Sequence, residues 1–394
     1  MLKHSYQINS LFLLLLIFFT ACKEAPKNSS NLNSEEVETT DKNTSVNVEY
    51  AQGFSISKNE NFTTVEVTSP WPNANKAYTY ALVPKEKLNS ITFDANAYDA
   101  IIATPVTRLV ATSTTHIPAI ELLNIENTLI GFPGTNYISS EPIRNKIDNG
   151  SVKELGLNEA INTEVLISLE PELVMGFTVD GENKTYKNIA NAGIPVVYNG
   201  DWVEETPLGK AEWIKLFGVF FNKEKQADSI FNEIATAYNN AKKLALQTEV
   251  QPTVFSGSMF KDIWYAPAGE SWVAHFLKDA NANYTWKNSK GTGSLSLNFE
   301  SVLEKAKTTE YWIGPGQFTS YNQLKETNTH YTQFDTFKNK KIFTYSLTTG
   351  ATGGLLYYEL APNRPDLVLK DIIKILHPNV LPNYEPVFFK PLQP

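Results

Sequence analysis

The groups in this chain that could carry acid–base, metal or nucleophilic chemistry are few. The histidines (His4, His116, His275, His330 and His377) form no i, i+4 pair, so the helical two-histidine face of a zinc protease is missing. A metal held by protein alone needs about three or four His, Asp or Glu ligands. Only His116, Asp180 and Asp201 fall in loops that could supply them. Ser256-Gly257-Ser258 follows a short apolar run, but no G-x-S-x-G elbow surrounds it and no histidine is placed to serve it. Neither GxxxxGK nor a GxGxxG after a strand occurs, so a bound nucleotide has no phosphate loop. The loops are instead rich in rings and hydroxyls: Tyr137, Trp202, Trp264, Trp286, Trp312 and Tyr345, with Thr115, Thr178 and Ser258 among them. Such groups bind rather than react. Flat faces stack on a bulky ligand, and hydroxyls fix its orientation. Arg364 adds a guanidinium able to pair with a ligand carboxylate. His116 directly follows a strand, where it either contacts ligand or makes a hydrogen bond at a helix start. No catalytic residue, no resident cofactor and no protein-held metal is expected.

These loops recur in the order that parallel sheets create. Over residues 106–205, apolar runs at Arg108–Ser113, Thr128–Phe132, Leu173–Phe177 and Pro195–Tyr198 each end in a polar or aromatic loop. Helical stretches such as Ile117–Leu123 and Lys187–Ala192 lie between them. Strands alternating with helices predict a parallel sheet, whose ligand sits beyond the carboxyl ends of its strands. Residues 248–394 repeat the plan with Thr253–Phe255, Ile263–Tyr265, Tyr311–Ile313, Ile342–Tyr345 and a closing helix at Pro365–Leu376.

Residues 206–247 join the two halves. Trp213, Leu216, Phe217, Phe220 and Phe221, then Ala227, Ile230, Phe231, Ile234, Tyr238 and Ala241, recur at helical spacing. The pattern predicts two abutting helices, the first opened by Pro207 and the second, Lys223–Leu246, about 36 Å long. Ahead of both halves, residues 48–105 alternate apolar and polar around Lys58–Asn61, which predicts an antiparallel hairpin plus an edge strand. The fold class is therefore α/β: two lobes with mainly parallel sheets, one long interdomain helix, a ligand cleft between the lobes, and a β-hairpin addition at the amino-terminal side.

Composition agrees with a binding role. The chain has 394 residues, a net charge of −8 and 12% aromatic residues. That gives no basic field for nucleic acid. Leu11–Ala21 is apolar, too short to span a bilayer and suited to the core of a signal peptide covering residues 1–21. It ends on Thr20-Ala21-Cys22, which resembles a lipobox with Phe19 where the pattern prefers leucine. Cys22 is then the lipidated first residue; the alternative is an ordinary secretory signal with an incidental cysteine. Residues 22–47 are polar and read as a flexible tether. No later segment reaches membrane-spanning length.

The order of several short motifs resembles one family, the cluster III substrate-binding proteins of ABC importers for iron–siderophore complexes, haem and cobalamin. The resemblance spans residues 106–379. It rests on Arg108–His116, on Asn162-Thr163-Glu164 through Pro171–Val174, and on Ala192–Val197. Further matches are Thr206–Trp213, Arg364-Pro365-Asp366 and His377-Pro378. The family docks on its permease through one exposed acidic residue per lobe, and the matching positions are Glu164 and Glu300. Each also begins a helix, where a carboxylate complements the helix dipole. The resemblance implies a monomeric, lipid-anchored receptor at the cell envelope, facing the periplasm. It would capture an iron(III) chelate or a corrinoid and present it to the permease and ATPase subunits. Cobalamin or haem is the alternative ligand, and a secreted α/β hydrolase using Ser256 or Ser258 is the alternative class. A metal-cluster scaffold is excluded, because Cys22 is the sole cysteine.

Overall fold

The computed structural model describes residues 44–92, 94 and 97–394. The signal segment, Cys22 and most of the tether lie outside the described residues. The end of the tether is corrected by the structure. β1 (Thr44–Ser45) pairs antiparallel with β2 (Phe54–Lys58), and Val46 N donates to Ile56 O at 3.1 Å, so residues 44–46 are tied to the first sheet.

That sheet has five strands. β2 and β3 (Thr63–Val67) form the expected hairpin, and β4 (Tyr78–Pro84) adds antiparallel to β3. β5 (Ala100–Thr104) then adds parallel to β4. The parallel strand is a departure from the sequence reading, in which Ala100–Thr104 carries no alternation to announce it.

The first lobe is built on β6 (Leu109–Ala111), β7 (Leu129–Phe132), β8 (Lys153–Glu154), β11 (Leu173–Gly176) and β12 (Val196–Tyr198), in the order β12-β11-β6-β7-β8 and all parallel. β9 (Gly156–Leu157) and β10 (Ala160–Ile161) form a two-stranded ribbon beside it. β6 and β11 are buried along their whole length, as continuous apolar strands of a covered parallel sheet should be. The helices α1 (Ile117–Leu122), α2 (Glu141–Asp148), α3 (Thr163–Ser168) and α4 (Lys184–Asn191) connect the strands.

The linker has three helices where the periodicity predicts two. Thr206 accepts from Gly209 N at 3.0 Å and Pro207 occupies the first turn, opening α5 (Pro207–Glu212). The helix is interrupted at Trp213 before α6 (Ile214–Phe220), because Trp213 makes a turn while its side chain stays in register with the apolar face. Asn222, at φ 54°, turns the corner into the 22-residue α7 (Glu224–Ala245), about 33 Å long. Gly218 allows α6 and α7 to touch there: a Cβ on it would stand 2.8 Å from that of Ala227.

The second lobe carries β13 (Thr253–Ser256), β16 (Asn283–Tyr284), β18 (Tyr311–Ile313), β19 (Ile342–Thr344) and β20 (Lys390–Pro391), parallel except for β20. β15 (Ile263–Pro267) leaves this sheet. It pairs antiparallel with β14 (Ser258–Phe260) and β17 (Ser294–Leu297), so the expected place of Ile263–Tyr265 in the parallel sheet is corrected. Five helices follow the strands: α8 (Trp272–Asp279), α9 (Phe299–Ala306), α10 (Tyr321–Thr327), α11 (Asp335–Lys338) and α12 (Leu356–Leu360). The closing helix α13 (Pro365–Leu376) has the predicted bounds.

Candidate functional site: the cleft between the lobes

A cleft of about 590 Å³ opens where the carboxyl ends of β6, β7 and β11 meet the loop before α12. From the first lobe it is lined by Thr112–Thr115, Phe132–Gly134, Tyr137, the 156–159 ribbon turn, Phe177 and Trp202; from the second it takes Gly354, Leu355 and Tyr358. This volume lies within the range of sites for drug-sized ligands, about 300–1,000 Å³. Three of the predicted residues meet there: Thr115, Tyr137 and Trp202. Trp202 sets its ring edge-on to Phe177, with centroids 5.9 Å apart, and its indole N–H has no partner. Tyr137 is 69% exposed and stands at the mouth. Tyr345 sits behind the wall, stacked on Tyr357 at 4.5 Å, with its hydroxyl 3.0 Å from that of Tyr358.

The other predicted contacts lie elsewhere, each for a visible reason. His116 is fully buried beside Phe217, with ring centroids 5.8 Å apart, and neither ring nitrogen has a partner. Burial holds its pKa down to about 3, so it is a neutral core residue: it is absent from the cleft lining, and though it stands at the start of α1 its side chain makes no capping hydrogen bond. Trp264 and Trp312 are also wholly buried. They pack with Phe255, Tyr331 and Phe334, and their indoles donate to Ser256 O and Gly257 O at 3.2 and 2.9 Å. Trp286 is buried against Tyr284. Thr178 donates to Gly181 O at 2.6 Å in an adjoining pocket that shares Asn158 and Glu159 with the cleft. Ser258 lies on β14, outside the cleft lining. Arg364 commits the Nε/Nη2 edge of its guanidinium to Asp366 by two hydrogen bonds of 2.9 Å, and it is not among the residues lining the cleft.

Sequence reasoning missed Leu157, Asn158 and Glu159, since a two-residue ribbon has no periodicity to read. It also missed Phe132 and Phe177, which end predicted strands and could have been found by following the strand-end rule one residue further in.

The lobes are latched at one end of the cleft. Glu359 accepts from Ser139 N and Ser140 N at 2.6 and 2.9 Å. Thr352 donates to Asn136 O at 2.7 Å, and Asn363 Nδ2 donates to Thr115 O at 2.8 Å. Gly354 permits the approach, since a Cβ there would stand 2.7 Å from Tyr137 O. Desolvation raises the Glu359 carboxyl to about 7, with the two amides opposing the shift and the Glu121 charge adding to it. Beneath Trp202, Lys210 donates to Asp201 O and Trp202 O at 3.2 and 2.6 Å, and burial lowers its pKa to about 8. Asp201, buried beside it, is shifted upward by desolvation. Among the described residues, no three His, Cys, Asp or Glu stand close enough to hold a metal ion.

Two parallel-sheet lobes, a long linking helix and an aromatic interlobe cleft set the frame for comparison. The model of one family, described as periplasmic binding protein, matches residues 109–347. The chain belongs to the periplasmic binding protein family. Its fold is that of a crystal structure of a periplasmic heme binding protein from Pseudomonas aeruginosa. The two share 14% identity and a TM-score of 0.54 over 73% of this chain and 99% of that one. A possible iron-binding (periplasmic solute-binding) protein from Staphylococcus epidermidis matches at 17% identity and TM-score 0.53, over 70% of this chain and all of the other. In sequence, an uncharacterized lipoprotein of Methanocaldococcus jannaschii is 28% identical over 298 residues, 73% of this chain and 69% of its own. The periplasmic binding protein is thus a substrate-binding protein of the ABC-transporter kind, with a small-molecule ligand and a permease as its partners, and it is a binder and not an enzyme. Among its described residues, no helix is long and apolar enough to cross a membrane. Glu164 and Glu300 stand exposed in the first turns of α3 and α9, each after an asparagine cap, and neither carboxylate has a partner among the described residues.

Proposed function

We propose that this periplasmic binding protein captures an iron(III) chelate of the siderophore type in its interlobe cleft and hands it to an ABC permease. The observation that carries this reading is the cleft itself: Phe132, Phe177, Trp202 and Tyr358 supply flat and edge-on ring surface, and Thr112–Thr115 and Asn158 supply neutral hydrogen-bonding groups. Rings with a few fixed polar groups suit a bulky, rigid ligand. A corrinoid is the second reading, favoured by the same ring-lined walls, which carry no Lys, Arg or His. Lipidation at Cys22 would hold the protein at the membrane, and Glu164 and Glu300, one on each lobe, would meet the permease as a monomeric receptor closes. The domain limits of the sequence reading, with lobes at 106–205 and 248–394 on either side of the 206–247 linker, are retained in this proposal.

Trp202 is the one tryptophan lining the cleft, so its fluorescence reports occupancy. Titration of the full chain with iron(III)-siderophore complexes, haem and cyanocobalamin should give saturable quenching by at least one compound, most of it lost in Trp202→Phe. Absence of quenching by every compound, with the protein folded, would sink the proposal.

A further inference from the structure

Resting on the reading of the cleft as the chelate site, we infer the charge class of the ligand. The site takes a metal chelate of zero or positive net charge and rejects polyanionic chelates.

The residues lining the cleft include no Lys, Arg or His, and their single carboxylate, Glu159, is exposed. The adjoining pocket that shares Glu159 adds Asp180 and Glu182 at the same rim. Three cations close in sequence to wall residues are already held. Lys210 points its ammonium at the backbone carbonyls of Asp201 and Trp202. Arg144 reaches Thr135 O at 2.6 Å and Asp148 at 3.5 Å. Arg364, next to the Asn363 that touches Thr115, is bidentate on Asp366.

Recruiting Lys210 or Arg144 would strip a backbone carbonyl of its partner, and turning Arg364 would strip Asp366 of its own. A trianionic chelate would lose its water against rings and hydroxyls with no cation to meet it, and it would face the acidic rim on entry. A neutral or monocationic chelate finds what the walls offer. Ring faces at Trp202 and Tyr358 attract cationic and apolar surface, and Glu159 attracts positive charge.

The test titrates the full chain, by Trp202 fluorescence, with probes that differ in charge: ferrioxamine B (monocationic), ferrichrome and cyanocobalamin (both neutral) and ferric enterobactin (trianionic). The expected result is saturable binding of at least one neutral or cationic probe, with ferric enterobactin weaker by about 100-fold or more, the scale of a like-charge mismatch. Ferric enterobactin binding as tightly as the neutral probes would overturn the charge inference while leaving the chelate receptor standing. No response to any probe would remove the receptor reading, and this inference with it. Glu159→Lys, on an exposed ribbon turn, gives a second readout at low salt. Ferrioxamine B should weaken by about three- to tenfold and ferrichrome by less than about twofold. Equal losses for the two probes would overturn the electrostatic account.

Discussion

Glu212 is the pin that joins the first sheet to the linker helices, and its removal has a calculable cost. Its carboxylate is fully buried. It accepts from Glu49 N at 2.9 and 3.1 Å, from Tyr50 N at 2.6 Å and from Ala51 N at 2.8 Å. Lys215, itself buried, adds an ion pair at 2.9 Å and ties the same strap by donating to Asn47 O at 2.7 Å. In the loop before α5, Glu204 Oε1 accepts from Gln52 N, Gly53 N and the indole of Trp213.

A hydrogen bond to a charged group contributes about 1.5–3 kcal/mol. Summing three amides and an ammonium overshoots, because the freed strap can move toward water and the Glu204 contacts remain. The cost of breaking a buried ion pair, about 3–5 kcal/mol, is the better bound. The assay is hydrogen exchange of the Tyr50 and Ala51 amides, which reports local opening directly. In Glu212→Ala these amides should exchange at least about 100-fold faster, since each 1.4 kcal/mol is tenfold. Amides of β11, at the centre of the first lobe's sheet, should change far less. Acceleration below about tenfold at Tyr50 and Ala51 would refute the claim that this carboxylate holds the strap.

Three further outcomes follow from buried and exposed charge. His116 is neutral in the fold at a pKa of about 3 against an ordinary 6.5. The unfolded chain therefore binds its proton first, and the stability this site contributes is present above about pH 6.5 and lost as pH falls toward 3. His116→Leu should remove that acid sensitivity, and melting temperatures that fall equally in both proteins between pH 6.5 and 4 would refute it. Glu359 runs the other way. Its folded pKa of about 7 exceeds the ordinary 4.5, so its contribution is present below about pH 4.5 and lost as pH rises through 7. The full effect is on the order of 3 kcal/mol, and Glu359→Gln should flatten it; an unchanged pH slope in melting experiments counts against the latch. Finally, Glu164→Arg with Glu300→Arg should abolish ligand transfer to the permease while leaving chelate affinity in the cleft within about twofold, because both side chains face solvent away from it. Transport that survives the double reversal would remove these glutamates from docking.

The buried parallel strands were legible one by one, because a covered strand is marked in its own residues, while the sheet each strand joins was not, as β5 and β15 show. Runs such as Leu173–Gly176 are apolar throughout and bounded by turn residues, which is how a strand covered on both faces reads. The break at Trp213 was not legible, since the helical spacing of apolar residues passes through it unchanged. The tryptophans show a different limit. Composition shows that rings are plentiful but not which way they face, yet part of the answer lay in the period of two. Along β15, Ile263 and Tyr265 are exposed and Trp264 is buried, so the alternation itself turns Trp264 to the face opposite its two neighbours.

Arg364 was decidable too, because its partner Asp366 lies two residues on. Lys210 was not decidable. Its carbonyl partners are fixed by the turn at Asp201–Val203, which no residue pattern announces. The cleft's charge depends on which cations are spoken for. A sequence that lists Lys and Arg near strand ends therefore leaves open whether the ligand meets a positive wall or a neutral one. Here the local partner of Arg364 and the backbone partners of Lys210 leave the lining without a cation and with Glu159 as its one charged group, and that is what makes ligand charge the property most open to direct test.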